Sequence, residues 1–261
     1  MTFQSLHLKA RWLGCQRIEL ESCGSTNDEA ARLARAGAAR GTIVIAERQT
    51  SGRGRDGRVW ESPPGGLYLS AVLRPPLPIV AVPPMTLAIG IGLCEAVRAT
   101  GAPAVLKWPN DLLVGGRKLA GVLVEAQSQG GRLESVVVGI GINLTGELPG
   151  ELGERAITLA EAAGTTIDRD SFLDRLLAHV EQWIERYVAV GLEAIIPAWQ
   201  ERMATGLVAR AHAVDGPLTG VVEGLDAEGA LLLRDDGGTV HKVRSGDVEV
   251  IRHAELQSAA R

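Results

Sequence analysis

The stretch Gly52-Arg53-Gly54-Arg55-Asp56-Gly57-Arg58-Val59-Trp60 is unlike any other part of this 261-residue chain. Three arginines fall within six positions, spaced by glycines that lack a Cβ and reach backbone conformations closed to other residues. Such a segment cannot contribute to a hydrophobic core. Guanidinium groups on a pliable backbone suit a carboxylate or a phosphate, which they grip through paired hydrogen bonds. Trp60 adds a flat apolar face against which a ring can lie. Arginine-glycine RNA-binding tails are repetitive, whereas this segment occurs once and runs into Glu61-Ser62-Pro63-Pro64. The segment reads as a loop that encloses an anionic ligand.

The flanking sequence supplies strands to hold it. Residues 42–47 form a β-branched, apolar run before the loop, and Leu67–Leu73 follow it with Leu67, Leu69, Ala71 and Leu73 on one face. Upstream, 17–21 reads as a short strand. Ser25 and Thr26 offer hydroxyl caps for a helix over 28–36, closed by Gly37 and Gly41. Downstream, Pro83-Pro84 opens an apolar helix over 85–99, in which Gly90 and Gly92 mark close packing. A strand over 104–108 is stopped by Pro109. Residues 118–127 and 135–144 form an antiparallel hairpin around Gln129-Gly130-Gly131. Helices follow over 157–163 and 170–190. In the second, Phe172, Leu173, Leu176, Leu177, Val180, Trp183, Ile184 and Tyr187 recur at helical spacing and belong to the core.

From about residue 205 the pattern changes to short strands. They are separated by Asp215-Gly216-Pro217, Asp226 to Gly229, Asp235 to Gly238 and Ser245-Gly246-Asp247, which suggests a small barrel of four or five strands. The expected organisation is α+β, with a main domain over 1–204 and a small β-domain over 205–261.

Hydrophobic content of 46% and charged content of 22% are those of a globular protein. Lys and Arg number 27 against 31 Asp and Glu, a net charge of −4. Positive charge is concentrated in one short loop, which argues for a local anion site and against a DNA or RNA groove. Cys15, Cys23 and Cys94 are odd in number and form no C-x-x-C pair, so neither a disulfide framework nor a structural zinc site is expected. The reducing cytoplasm fits. The N-terminal sequence has no continuous apolar signal core, and no run approaches eighteen uninterrupted apolar residues, so no membrane association is predicted.

Other segments carry chemistry. Lys107-Trp108-Pro109-Asn110-Asp111 ends a strand at a proline and leaves Asn110 and Asp111 at a strand edge or loop, free to hold a hydroxyl or a hydrated Mg²⁺. In isolation, an Asx turn is the favoured explanation of Asn110 and Asp111. The adjacent Gly116-Arg117-Lys118 tips the reading toward function, because Lys118 opens an otherwise apolar strand. Gly139-Ile140-Gly141-Ile142-Asn143-Leu144 lacks the third glycine of a dinucleotide fingerprint. Either a ligand approaches the strand backbone there or the glycines serve packing. Neither a Walker loop nor a G-x-S-x-G elbow is present. His7, His179, His212, His241 and His253 are scattered without ligand spacing.

In their order and spacing these segments resemble the biotin protein ligases, the biotin–[acetyl-CoA-carboxylase] synthetases. The resemblance runs through Ser25-Thr26-Asn27, Gln49, the 52–60 loop, Lys107 to Asp111, Arg117 to Glu125, Gly139 to Leu144 and the C-terminal strands. It implies a class II synthetase-like catalytic domain with a mixed, largely antiparallel sheet, followed by an SH3-like barrel. It implies activation of biotin with Mg·ATP to biotinyl-5′-AMP, then transfer to a lysine of a biotin carboxyl carrier domain. Ser25, Thr26, Asn27, Gln49, Arg53, Gly54, Arg55 and Lys118 would line the biotin site. Gly52, Arg58, Trp60, Lys107, Asn110, Asp111 and Asn143 would hold ATP or the adenylate. Lys118 and Arg55 would act in catalysis, with Asp111 a metal or ribose contact. Lipoate and octanoate ligases share the same logic, but the full arginine loop with its tryptophan favours biotin. Some sixteen residues precede the first strand, too few for the DNA-binding module of bifunctional members, and a homodimer is compatible with the resemblance. Two features need explanation. Asp56 places an acid inside the basic loop, where pairing with Arg55 or Arg58 is expected, and the loop is expected to order when the site fills.

Overall fold

Alternation along the central strands decides which face of the sheet becomes core. The computed structural model describes residues 9–213 and 216–250; His7, His253 and Asp215 of the first predicted C-terminal turn lie outside the described residues. Seven strands form one sheet: β1 (Gln16–Cys23), β2 (Thr42–Gln49), β3 (Leu67–Leu73), β4 (Val105–Lys107), β5 (Asp111–Val114), β6 (Arg117–Gln129) and β7 (Arg132–Ile142). Their spatial order is β1-β2-β3-β7-β6-β5-β4. Only β1 and β2 run parallel; the other pairs are antiparallel.

One face is covered by the helices α2 (Met85–Arg98), α5 (Arg169–Val190) and α6 (Leu192–Gln200), which pack on Ile43, Ile45, Leu67, Leu69, Val138, Ile140 and Ile142. The other face receives α1 (Thr26–Arg35), whose Ala30, Ala31 and Ala34 lie on Val44, Val72 and Val137. Every residue of β3 is therefore buried, not only its predicted inward face. The predicted apolar face of α5 is buried throughout, and Asp168 caps it by accepting from the Ser171 amide at 2.9 Å. The predicted hairpin forms as β6 and β7, with Gly130 and Gly131 both at positive φ as a two-residue turn requires.

Several elements were not legible in the sequence. The four-residue β5 fits between Pro109 and Gly115, too short to show a period. Short α3 (Glu151–Arg155) and α6, which carries Pro197 inside it, break the usual helix signals. The predicted helix over 157–163 shortens to α4 (Leu159–Ala163), because Thr158 caps it by accepting from the Glu161 amide.

The chain ends in a second antiparallel sheet, β8 (Val208–Ala213), β9 (Gly216–Leu225), β10 (Leu231–Arg234), β11 (Val240–Val243) and β12 (Asp247–Val250), ordered β11-β10-β9-β8-β12. Its buried Ala209, Ala211, Val222, Leu231 and Leu233 join the main core. Trp108, from the end of β4, donates its indole N–H to the Gly229 carbonyl at 3.0 Å across the junction.

Among the described residues one stretch, Ile79–Arg98, is long and apolar enough to cross a membrane by composition. Its helical part α2 is the core helix. A Cβ on Gly92 would lie 2.8 Å from the Val180 Cα and 2.9 Å from the His179 carbonyl, so α2 and α5 touch through backbone. Replacing a helical Gly by Ala normally gains about 1 kcal/mol. Here overpacking against backbone, costing about 1–3 kcal/mol, outweighs that gain. Gly92→Ala is expected to lower the urea midpoint without altering the m-value.

Candidate active site

On the α1 face, three glycines clear the floor of a cleft. Gly139 and Gly141 of β7 share the parity of Val137, which faces α1, while Ile140 and Ile142 point into the core. Pairing sets Gly141 beside Gly121 of β6, Gly121 beside Asp111 of β5, and Gly139 beside Ser70 of β3. A Cβ on Gly141 would lie 2.5 Å from the Trp60 ring, and one on Gly121 3.1 Å from it. A Cβ on Gly139 would lie 2.2 Å from Asn27 Oδ1. The sequence left ligand approach and packing open for these glycines. What approaches them in the chain is its own Trp60 and Asn27.

The arginine segment is a small hairpin. Trp60 N donates to Gly52 O at 2.9 Å, Gly54 N donates to Arg58 O at 2.7 Å, and Arg53 bridges to Val59. Its tip is a single 3₁₀ turn over Arg55–Gly57. Asp56 sits there at φ 56° and ψ 35°, followed by Gly57 at φ 74°. Short polar Asp tolerates this left-handed region better than most residues. Asp56 is thus explained by the backbone of the turn. The expected pairing with Arg55 is not found among the described residues.

At one end of the cleft lies a neutral network. Gln49 Oε1 accepts from Thr26 N at 2.9 Å and Thr26 Oγ1 at 3.1 Å, and Gln49 Nε2 donates to Ser62 Oγ at 3.0 Å. Ser70 Oγ lies 2.6 Å from Asn27 Oδ1 and 2.8 Å from Thr26 Oγ1, with one proton to share between them. Ser25, Thr26 and Asn27 are all buried. The hydroxyl capping expected of Ser25 and Thr26 is absent: Ser25 occupies the N-cap position without a side-chain cap bond, and the Thr26 hydroxyl joins Gln49 instead.

At the other end lies a charged cluster. Asp111 opens β5 as a buried carboxylate whose Oδ1 is 2.6 Å from Lys118 Nζ and whose Oδ2 is 3.0 Å from Lys107 Nζ. Burial alone would raise its pKa, but the two ammonium groups outweigh burial and hold it below the usual aspartate range. Lys118 also lies 5.1 Å from the centre of the Trp60 ring.

Ser25, Thr26, Asn27, Gln49, Arg53, Gly54, Arg55, Arg58, Trp60, Asn110, Asp111 and Lys118 line this one cleft. Lys107, Asn143 and Gly52 do not line it. Lys107 acts through Asp111. Asn143 donates to Lys118 O at 3.2 Å, fixing the backbone of that lysine. Asn110 donates to Val122 O at 2.7 Å, so its amide nitrogen is engaged while its oxygen remains an acceptor. Gly52 admits the Trp60 carbonyl, which would lie 2.4 Å from a Cβ there. Sequence reading missed Ser70 and Glu125. A lone hydroxyl in the apolar run Leu67–Leu73 was a usable signal for Ser70.

Both oxygens of Asp111, the predicted metal contact, are engaged by lysines, one on each. Among the described residues no three acidic, His or Cys side chains gather as a metal site.

Comparison with known proteins bears on this arrangement. The sequence profile of the biotin/lipoate A/B protein ligase family matches residues 21–143, and that of the biotin protein ligase C-terminal domain matches 213–250. The biotin–[acetyl-CoA-carboxylase] ligase of Paracoccus denitrificans is 34% identical over 82% of this chain and 92% of its own length. The chain belongs to the biotin protein ligase family. The bifunctional ligase/repressor BirA of Bacillus subtilis is 36% identical to this ligase over 93% of the chain and 76% of that protein. Among solved structures, the biotin protein ligase of Aquifex aeolicus in complex with biotin and ATP superposes with a TM-score of 0.79 at 32% identity, covering 91% of this chain and 99% of that one.

The pairing of Asp111 carries a pH signature. A depressed native pKa means its contribution to stability is full above the unfolded value of about 3.9 and is lost as pH falls through the native one. Asp111→Asn is expected to cost about 1–3 kcal/mol at pH 7 by leaving two cations without their anion. In urea titrations the gap to the wild type should narrow as the pH falls below about 4.

Proposed function

We propose that this ligase joins biotin to ATP as biotinyl-5′-AMP, with release of pyrophosphate, and passes the biotinyl group to a lysine of a carboxylase's biotin carrier domain. The observation that carries the proposal is one cleft with a neutral hydrogen-bonding end and a cationic end, roofed by the arginine hairpin.

The neutral end suits the ureido ring, which presents two N–H donors and one carbonyl acceptor. Hydroxyls of Ser25 and Thr26 and the amide of Gln49 offer both kinds of partner. The cationic end meets the electrostatic problem of the first step. Biotin carboxylate and ATP phosphates repel, by about 4 kcal/mol per pair of unit charges 4 Å apart at an effective dielectric of 20. Lys118 and Arg55 supply compensating charge in the same cleft. Asp111 aims the Lys118 ammonium, so that little reorganisation is needed when charge develops at the α-phosphate.

A carboxylate oxygen attacks the α-phosphorus and pyrophosphate leaves. The acceptor amine then attacks the acyl carbon and AMP leaves. No covalent bond to the enzyme forms, and rate comes from positioning and electrostatics. Trp60, over the glycine floor, offers a ring face for the adenine, and the hairpin limits access of water to the mixed anhydride. Magnesium would arrive on the ATP phosphates with most of its water shell, as that ion commonly does.

Pyrophosphate release is expected with biotin, Mg²⁺ and ATP, and not when lipoate or octanoate replaces biotin. Release with lipoate alone, or with none, would overturn the assignment. Lys118→Ala should cut release by at least about a hundredfold, the scale of a lost transition-state cation, with the melting transition retained.

A further inference from the structure

Glu125 of β6 lies outside the cleft wall yet touches two parts of it. Its Oε2 accepts from Asn27 Nδ2 at 2.6 Å and from Arg53 Nη2 at 3.0 Å. Arg53 Nη2 also reaches Asp28 Oδ1, in the first turn of α1, at 2.8 Å. One guanidinium thus joins the arginine hairpin to both a helix and a strand. The Asn27 end is fixed in turn, since Asn27 Oδ1 lies on Gly139 and within hydrogen-bond range of Ser70. Beneath the hairpin, between its turn and Leu123 and Glu125, is a hollow of about 360 Å³. The tip stands off β6 across this hollow, so the side-chain tie made by Arg53, in the arm beside the tip, bears on how the hairpin sits.

We propose that Glu125, with Asp28 as its second anchor, is a positioning residue that holds the arginine hairpin closed over the cleft through Arg53 and so slows escape of the reaction intermediate. Both ion pairs are partly exposed, with Arg53 at 42%, Glu125 at 28% and Asp28 at 61% side-chain accessibility. Each alone contributes little. Together they act on a nine-residue segment whose own backbone bonds close the hairpin without anchoring its tip. The chain then supplies part of the order that the glycine-rich sequence assigned to ligand binding. Glu125 also couples the neutral end of the cleft to the hairpin, because the same oxygen receives Asn27 and Arg53.

The hairpin contains its own reporters, as trypsin cuts after Arg53, Arg55 and Arg58. Limited digestion of the ligand-free enzyme tests closure without reference to the reaction. Glu125→Ala and Asp28→Asn should speed cleavage within 53–58, with the double variant about tenfold faster than wild type, the equivalent of two exposed ion pairs. Glu125→Gln keeps an acceptor for Asn27 and should fall between wild type and Glu125→Ala. Melting temperature and cleavage elsewhere should not change. Unaltered cutting within 53–58, or equal acceleration at remote sites, overturns the tie.

A second arm rests on the biotinyl-adenylate reading. In single-turnover assays without acceptor, Glu125→Ala should still form pyrophosphate but release intermediate to solution about threefold faster than the wild type, the equivalent of one exposed ion pair. Equal release rates would overturn the role in retention. Absence of pyrophosphate from the wild type would strike at the proposed reaction alone and leave the digestion result standing.

Discussion

The charged half of this site depends on one buried carboxylate bound by two ammonium groups. An isolated Asp111 at that depth would be driven to its neutral form. Lys107 and Lys118 keep it ionised, and it in turn holds both lysines at fixed points of the sheet. Its place follows from register: Asp111 stands beside Gly121, Gly121 beside Gly141, and Gly141 beside Tyr68, a row crossing β5, β6, β7 and β3. A residue with a side chain at Gly121 or Gly141 would push Trp60 off that row. Lys118 would then lose the ring it faces.

The same row explains why the site occupies this face. On the opposite face, Ile140 and Ile142 are buried in the apolar core shared with α2 and α5. On the α1 face the helix is short and covers Val44, Val72 and Val137 with alanines. Beyond its N-terminus, Gly121 and Gly141 leave room for the Trp60 ring, and the arginine hairpin takes over as cover. The molecule therefore separates stability from chemistry by strand parity. Trp108 links the two halves of the chain, since it follows Lys107 of the lysine pair and bonds the C-terminal sheet at Gly229.

Much of this was readable before any coordinates. The α5 stripe, the β6–β7 hairpin and the arginine segment each carried a local signal: helical spacing, a Gly-Gly turn, or a composition that cannot be core. The short elements were not. In β5, four residues between Pro109 and Gly115 are too few to show alternation, and Pro197 within α6 hides a real helix. Asp56 was read as a charge, whereas its place in the loop is conformational, a left-handed residue ahead of Gly57 that the Asp-Gly pair signals.

Residue types and their spacing carried the chemical inventory and the family: guanidinium groups on a glycine loop, a Lys-Trp-Pro-Asn-Asp segment and a lysine opening an apolar strand. Tertiary structure alone decided which of those groups meet. Lys107 proved to be Asp111's partner rather than a cleft wall, and Asn143 a brace for Lys118. Glu125, silent in the sequence, joined Asn27 to Arg53 across nearly a hundred positions of chain. The physical reason is that residue type fixes what a group can bond, whereas hydrogen-bond partners distant in sequence are set by strand register and by which face each side chain takes.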